Sequence, residues 1–479
     1  MIKRILLVNP AKQDNFVVNR IHMGLSLIGE ILARNGYTVK IMDYAFLRGI
    51  RDKIEVPTIE QVIHEFKPDL IGISVFTYVY DECKILIDKI SGCCDIPIIL
   101  GGPHFTMYPS DFRTDSRISY IIRGEADSII LNLIASATRE QSPVFIDSSL
   151  PSPEEIPSIN LDIAFGSEYL SVYQIQLSRG CPYNCSFCII SSISGCRVRY
   201  RDVNTCLHQI VEAKRRHPKI QTIVITDDCP TSNMKRFKNF LKLFSEANTG
   251  CDLAIDNMRA NLIDEELIQL YVAAGGQNIC LGVESGHPEV FELIHKGESL
   301  KDVKKAARLI KKNKLILGLC FVIGLPGDNL ERHLYSLKFA KSLKPDYIFW
   351  NMCIPWPGTE INQWYEKNGT LGDLRNFSTL IDPKVYYKPP PASSFDFPAA
   401  DRIKAWLMAN METYWFPLSS IKKIIIESYK YKLYRSIGIY ITGYIPHLIN
   451  NRNTLLHRNL QQFGIKTLLL KLLRKAIKS

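Results

Sequence analysis

Three cysteines, Cys181, Cys185 and Cys188, stand in the run Ser-Arg-Gly-Cys-Pro-Tyr-Asn-Cys-Ser-Phe-Cys. The spacing sets three thiolates on one short loop, and soft thiolate ligands select iron–sulfur clusters or zinc. Three such ligands suit a cluster that leaves one iron open to another molecule. A structural zinc site closes its tetrahedron with a fourth Cys or His. Cys196 is eight residues beyond Cys188, in a Ser-rich stretch, and forms no Cys-x-x-Cys pair. Zinc and plain structural cysteines are the competing readings.

The loop needs elements to position it. From Tyr173 onward the chain reads as strands alternating with helices. Strands are expected at Tyr173–Leu177, Thr222–Thr226, Leu253–Asp256, Asn278–Val283, Leu317–Ile323 and Tyr347–Trp350, with helical patterns such as Val203–Arg216 and Asp264–Ala273 between them. A chemically loaded sequence follows each strand: the cysteine loop, Asp227-Asp228, Arg259, Glu284-Ser285-Gly286, Gly324-Leu-Pro-Gly327 and Pro355-Trp-Pro-Gly-Thr359. In a parallel barrel all such loops gather at the carboxyl ends of the strands and form one site.

The Cys-x-x-x-Cys-x-aromatic-Cys run, with Phe187 as the aromatic, resembles the signature of the radical S-adenosylmethionine superfamily, whose barrel is a partial one of six strands. The resemblance implies that Cys181, Cys185 and Cys188 hold a 4Fe-4S cluster, whose open iron is chelated by the amino and carboxylate groups of S-adenosylmethionine. Reductive cleavage would then give a 5′-deoxyadenosyl radical, with an electron donor such as flavodoxin or ferredoxin as partner. Phe187 would pack beside the adenine. Asp227 or Asp228 would accept from the bound amino group, with an N-cap as the other reading of Asp228. Arg259 suits the methionyl carboxylate through its planar donor fork, or else a surface role. Glu284 and Ser285 match the fourth-strand motif near the ribose and methionine, and Gly324 and Gly327 the fifth-strand motif near the adenine. No side chain is marked as a general acid or base.

Residues 1 to about 140 form another strand–helix series, with strands expected at Arg4–Val8, Thr38–Met42, Leu70–Val75, Ile96–Leu100 and Ile118–Ile122. Such a series implies a doubly wound parallel sheet with its ligand at the carboxyl ends. Those ends carry Asn9-Pro10, Ser74 to Thr77, Gly101-Gly102-Pro103-His104 and Arg123-Gly124-Glu125. In this order they resemble the cobalamin-binding domain that precedes many radical S-adenosylmethionine enzymes. The resemblance implies a corrin site at Ser74, Thr77, Gly101, Gly102, His104, Gly124 and Glu125. The Asp-x-His-x-x-Gly motif of other cobalamin proteins is absent, and His22-Met23-Gly24 does not fit it. The implied dimethylbenzimidazole is therefore displaced, with a lower ligand other than that histidine.

The expected architecture is α/β throughout its first two parts: a Rossmann-like domain over 1–140, a linker over 141–170 and a partial barrel over 171–375. A helical, basic region follows over 376–479. The chain has 479 residues, 46% of them apolar, and a net charge of +11. From Asp401 onward there are 14 Lys and Arg against 3 Asp and Glu, so the basic excess lies there. The 13 scattered cysteines suit a reducing compartment. The N-terminus lacks the apolar region of a signal peptide, so a cytoplasmic location is expected.

Cobalamin beside the radical site implies methyl transfer to an unactivated carbon or phosphorus of a small-molecule, natural-product or lipid-like substrate. One S-adenosylmethionine would methylate cob(I)alamin, and a second would supply the radical. Cyclisation or rearrangement without methyl transfer is the alternative. A third reading, an iron–sulfur protein binding nucleic acid, rests on the tail's aromatics (Trp406, Tyr414, Trp415, Tyr429, Tyr431, Tyr434) among basic residues; no RNA-binding domain accompanies them. The stripe Ile465, Leu468, Leu469, Leu472, Leu473 and Ala476 either packs on the barrel or lies on an anionic membrane surface.

Overall fold

The computed structural model describes residues 2–11, 19–159, 161–256, 258–375 and 390–413, with 432–433, 436–437 and 440 beyond them. The 465–478 stripe and, of the six tail aromatics named above, all but Trp406 lie outside these residues.

The first sheet is wholly parallel. Its strands are β1 (Arg4–Asn9), β2 (Thr38–Asp43), β3 (Leu70–Ser74), β4 (Ile98–Gly101), β5 (Tyr120–Arg123) and β6 (Val144–Asp147), in the order β2-β1-β3-β4-β5-β6. Central strands such as Leu70–Ser74 are buried at every position, as a sheet covered on both faces requires. Strand order reverses between β1 and β3, which places a ligand crevice at their carboxyl ends. The sixth strand corrects the expected five. Val144–Asp147 falls in the stretch read as linker, yet it pairs with β5 from Tyr120↔Val144 to Arg123↔Asp147. Its residues are exposed or half-buried although Val144, Phe145 and Ile146 are apolar, as at the edge of a sheet.

The second series gives β7 (Val172–Ile175), a small antiparallel hairpin of β8 (Ser178–Arg179) and β9 (Arg199–Tyr200), then β10 (Thr222–Ile225) and β11 (Asp252–Ile255). It continues through β12 (Asn278–Glu284), β13 (Ile316–Ile323) and β14 (Tyr347–Met352). These make two three-stranded parallel sheets, β11-β10-β7 and β12-β13-β14, joined by a parallel bridge from Met258 to Leu281. The result is the expected six-stranded partial barrel. The β8–β9 hairpin, absent from the expectation, grips the cysteine loop at both ends.

Outward-facing Ile279, Leu281, Val283, Leu317, Leu319 and Phe321 are buried in one apolar core with the surrounding helices. Each such side chain contributes about 1.5–3 kcal/mol. Beyond the barrel, β15 (Gly369–Leu371) pairs antiparallel with β16 (Ala392–Ser394). The helix Ala399–Glu412 then packs on the barrel's outer wall, where Trp406 Nε1 donates to Trp350 O at 3.0 Å. No described helix is long and apolar enough to cross a membrane.

Candidate functional site

Two spaces meet at the carboxyl ends of the two sheets. A cavity of about 350 Å³ opens at the end of the first sheet, lined by Ser74, Gly101, Gly102, Gly124 and Glu125 and, deeper, by apolar groups including Leu7, Ile28 and Ile99. Gln176, Arg179, Ile193 and Ser194 of the barrel complete it. Thr77 and His104, expected there, do not line it. His104 is fully buried, with Nδ1 3.2 Å from Thr77 Oγ1 and Nε2 3.0 Å from Asp111 Oδ2. Burial lowers its pKa to about 4. The histidine that does reach the cavity is His22. Its Nε2 lies 3.1 Å from Ser74 Oγ, its Nδ1 accepts from Leu25 N at 3.1 Å, and burial holds its pKa low.

The walls are locked together by buried ion pairs. Arg179, next to the cysteine loop, reaches Glu125 at 2.7 Å and Asp127 at 3.1 Å, and Arg199 reaches the other oxygen of Glu125 at 2.5 Å. All four side chains are at most 10% exposed. A second clamp comes from Arg375, whose Nε and Nη2 take both oxygens of Asp111 at 2.7 and 2.8 Å.

The cysteine loop is braced from beneath. Gly180 has φ +94°, and a Cβ there would stand 2.7 Å from Arg197 O, so only glycine fits between the hairpin strands. Its N–H donates to Asp228 Oδ2 at 2.8 Å. Asp227 is buried and accepts from Leu177 N at 2.6 Å and Ser178 Oγ at 2.5 Å. Both carboxylates therefore hold the loop's backbone, a bracing use that the sequence reading did not foresee. Burial raises Asp227 to about 7.

The three thiols share the loop and differ in character. A hydrogen bond with the thiol of Cys229 lowers Cys181 to about 6, whereas burial raises Cys185, and Cys188 to about 11. Iron must displace those protons. Among the described residues, no three of His, Cys, Asp or Glu cluster tightly enough to hold a single ion.

Beside the loop lies a charged group of which the sequence reading found half. Arg259 lies over the ring of Tyr183 at 3.5 Å and 3.3 Å from Glu298 Oε1. Lys296 lies 3.2 Å from Glu284 and 3.6 Å from Glu298. The Glu298 side chain is inaccessible, yet neither of its oxygens has a hydrogen-bond partner, nor has Arg259 Nε. Buried atoms that are ion-paired but not hydrogen-bonded keep capacity for a ligand with complementary groups. Lys296 and Glu298 follow the fourth strand by 12 residues or more and carry no local signature.

Ser285 turns away, its Oγ 3.2 Å from Ser336 Oγ. Gly324, at φ +91°, admits the buried guanidinium of Arg402, which a Cβ would meet at 2.5 Å. Arg402 also donates to Phe397 O and Ala392 O at 2.8 and 3.0 Å. The Gly-x-x-Gly loop is thus sealed on one side by the helix Ala399–Glu412. Gly327 carries a carbonyl that takes Arg332 Nη1 at 2.7 Å. Phe187 packs in an apolar group with Leu325, Phe291 and Tyr365.

The residues fit the expected cofactors. Three half-buried thiols are the donor set of a cluster with one open iron, a buried group of charges with unused hydrogen-bonding capacity stands beside them, and an apolar cavity with a polar mouth faces them. Residues 175–340 match the Radical SAM superfamily and residues 17–134 the B12 binding domain. An uncharacterised methyltransferase of Pyrococcus horikoshii is 27% identical over 81% of this chain and 88% of its own length. The anaerobic magnesium-protoporphyrin IX monomethyl ester cyclase of Rubrivivax gelatinosus is 26% identical over 69% of this chain, which spans 64% of the cyclase. The radical S-adenosylmethionine methyltransferase TsrM of Kitasatospora setae, solved with cobalamin and a [4Fe-4S] cluster, shares the fold. Its TM-score is 0.63 at 19% identity, over 76% of this chain and 78% of that one. With a B12-binding domain followed by a radical SAM domain, the chain belongs to the cobalamin-dependent radical S-adenosylmethionine enzymes, whose cofactors are a 4Fe-4S cluster, S-adenosylmethionine and cobalamin.

Proposed function

We propose that this enzyme transfers a methyl group to an unactivated carbon or phosphorus of a small molecule. The observation that carries the reading is the shared wall. Arg179 and Ser194, from the segment holding the cysteine loop, also line the cavity at the end of the first sheet. When bound, the cluster supplies the electron that cleaves S-adenosylmethionine, and cobalamin carries the methyl group. The chain's part is positioning and exclusion of water.

In this reading Cys181, Cys185 and Cys188 hold the cluster, while Asp227 and Asp228 fix the loop that presents them. Arg259 and Lys296 face the methionyl carboxylate, and Glu298, with Glu284, receives the amino group. The apolar depth of the cavity would hold the nucleotide tail of cobalamin, and Ser74, Gly101, Gly102, Gly124 and Glu125 would hold its corrin. His22, not His104, is the imidazole on that cavity. A cytoplasmic setting with a flavodoxin- or ferredoxin-like donor fits this chemistry, as does a lipid-like substrate.

Cyclisation without methyl transfer remains the second reading, favoured by the cyclase relative. Anaerobic reconstitution, followed by assay with methyl-labelled S-adenosylmethionine, separates the two. Methylation gives labelled product with both 5′-deoxyadenosine and S-adenosylhomocysteine; unlabelled product with 5′-deoxyadenosine alone excludes it.

A further inference from the structure

Along β12, β13 and β14 burial alternates in an unusual sense. Outward residues are buried, whereas Cys280, Glu284, Cys320, Val322, Tyr347 and Asn351, on the inward face, are only partly buried. A packed barrel would bury its inward set. This barrel therefore encloses open space, and on that wall the thiols of Cys280 and Cys320 touch at 3.4 Å.

Cys280 pairs in register with Gly318 and Cys320 with Gly282, so the two cysteines are diagonal neighbours on parallel strands. The register holds the two free thiols in contact. Tyr347 lies flat across Gly318, where a Cβ would meet its hydroxyl oxygen at 2.4 Å, and that hydroxyl bonds Asn278 Oδ1 at 3.3 Å. Lys296 Nζ donates to Gly282 O, in register with Cys320, and connects through Glu298 and Arg259 to the ring of Tyr183 in the cluster loop, so pair and loop border one interior. Across it, the first sheet docks against the β7–β10–β11 wall. Arg20 pairs with Asp256 at 2.9 Å, and Thr226 Oγ1 lies 3.5 Å from Met23 Sδ.

We propose that Cys280 and Cys320 form a hydrogen-atom donor on the wall opposite the cobalamin cavity, returning hydrogen to a carbon radical that has not received a methyl group. This rests on the radical reading above. The carbon radical takes the hydrogen atom of one thiol, so a C–H bond forms, an S–H bond breaks and a thiyl radical remains. The thiyl regains one electron from the low-potential donor that feeds the cluster and one proton from solvent. An S–H bond is weaker than an alkyl C–H bond, so the transfer runs downhill; a serine O–H bond is too strong to replace it. Thiol protons exchange with water, so the returned hydrogen carries the solvent isotope.

The test uses the full chain, reconstituted anaerobically with iron, sulfide and hydroxocobalamin. It is given S-adenosylmethionine and dithionite in D2O without substrate or added thiol, and the 5′-deoxyadenosyl radical is itself the probe. The expected result is 5′-deoxyadenosine carrying deuterium, and loss of that label in the C280S/C320S double variant. Label is read per molecule formed, so the result does not depend on rate, and iron content reports whether the variant folds. Unlabelled 5′-deoxyadenosine from the unmodified protein overturns the proposal whatever the variant does, as does a label that the folded variant retains. Absence of any 5′-deoxyadenosine overturns the radical reading itself, and the donor with it.

Discussion

The two parallel β/α regions solve the placing of a ligand in opposite ways. The first sheet fills both faces with aliphatic side chains, and its cavity opens beside the sheet, at the β1/β3 switch and along the apolar groups beneath. The barrel packs its outer face more fully and keeps its space within, behind partly buried Cys280, Cys320 and Asn351. One alternation of strand and helix thus builds either a slot or a chamber, according to which face of the strands is packed. Salt bridges at Glu125–Arg179 and Asp111–Arg375 hold the two spaces together.

The sharpest break removes one region's chemistry and spares the other. Cys185→Ala should abolish the cluster's visible absorbance and all 5′-deoxyadenosine formation, while cobalamin is retained on gel filtration. Next comes the join. Arg179→Ala leaves Asp127 and half of Glu125 unpaired in a buried setting, and removing one partner of such a pair costs about 3–5 kcal/mol. Thermal unfolding should then separate into two transitions. Gly101→Leu fills the mouth of the first cavity without a forced backbone, since nothing but Ile122 stands near. Cobalamin affinity should fall about tenfold, or ~1.4 kcal/mol, with iron content unchanged.

The last effects are read as slopes with pH, at most roughly 1.4 kcal/mol per pH unit for one group. Asp227, raised from 3.8 to about 7, lends stability while protonated and loses it as pH rises through that window. Asp227→Asn should therefore gain relative to the unmodified protein between about pH 4 and 7. His104, lowered from 6.5 to about 4, loses stability as pH falls. His104→Gln should gain relative to the unmodified protein in the opposite direction, towards acid, in melting curves at stepped pH.

What the sequence revealed followed the local grammar of strands. Ile, Val and Leu runs announced both series, and loaded loops after each strand announced one site, since parallel strands deliver their ends to one place. Cys181, Cys185 and Cys188 were legible because all three ligands lie on one loop. Arg179 with Glu125, 54 residues apart, leaves no periodic trace, and neither does Cys280 with Cys320. Asp227 and Asp228 stood out as chemistry, yet their oxygens are taken up by the backbone and Ser178 beneath the cysteines. The edge strand Val144–Asp147 has an apolar run of only three residues, between Ser142-Pro143 and Asp147-Ser148-Ser149, too short to stand out from a linker.

The Arg375–Asp111 clamp has a consequence for synthesis. The acid and its base are separated by 264 residues, which a ribosome takes roughly ten to fifty seconds to traverse. During that interval the first sheet is complete while Asp111, and for a shorter time Glu125 and Asp127, wait at its rim as unneutralised carboxylates. The nascent slot is therefore looser and more acidic than the finished one, and its mouth takes final form only when the barrel has emerged to close it.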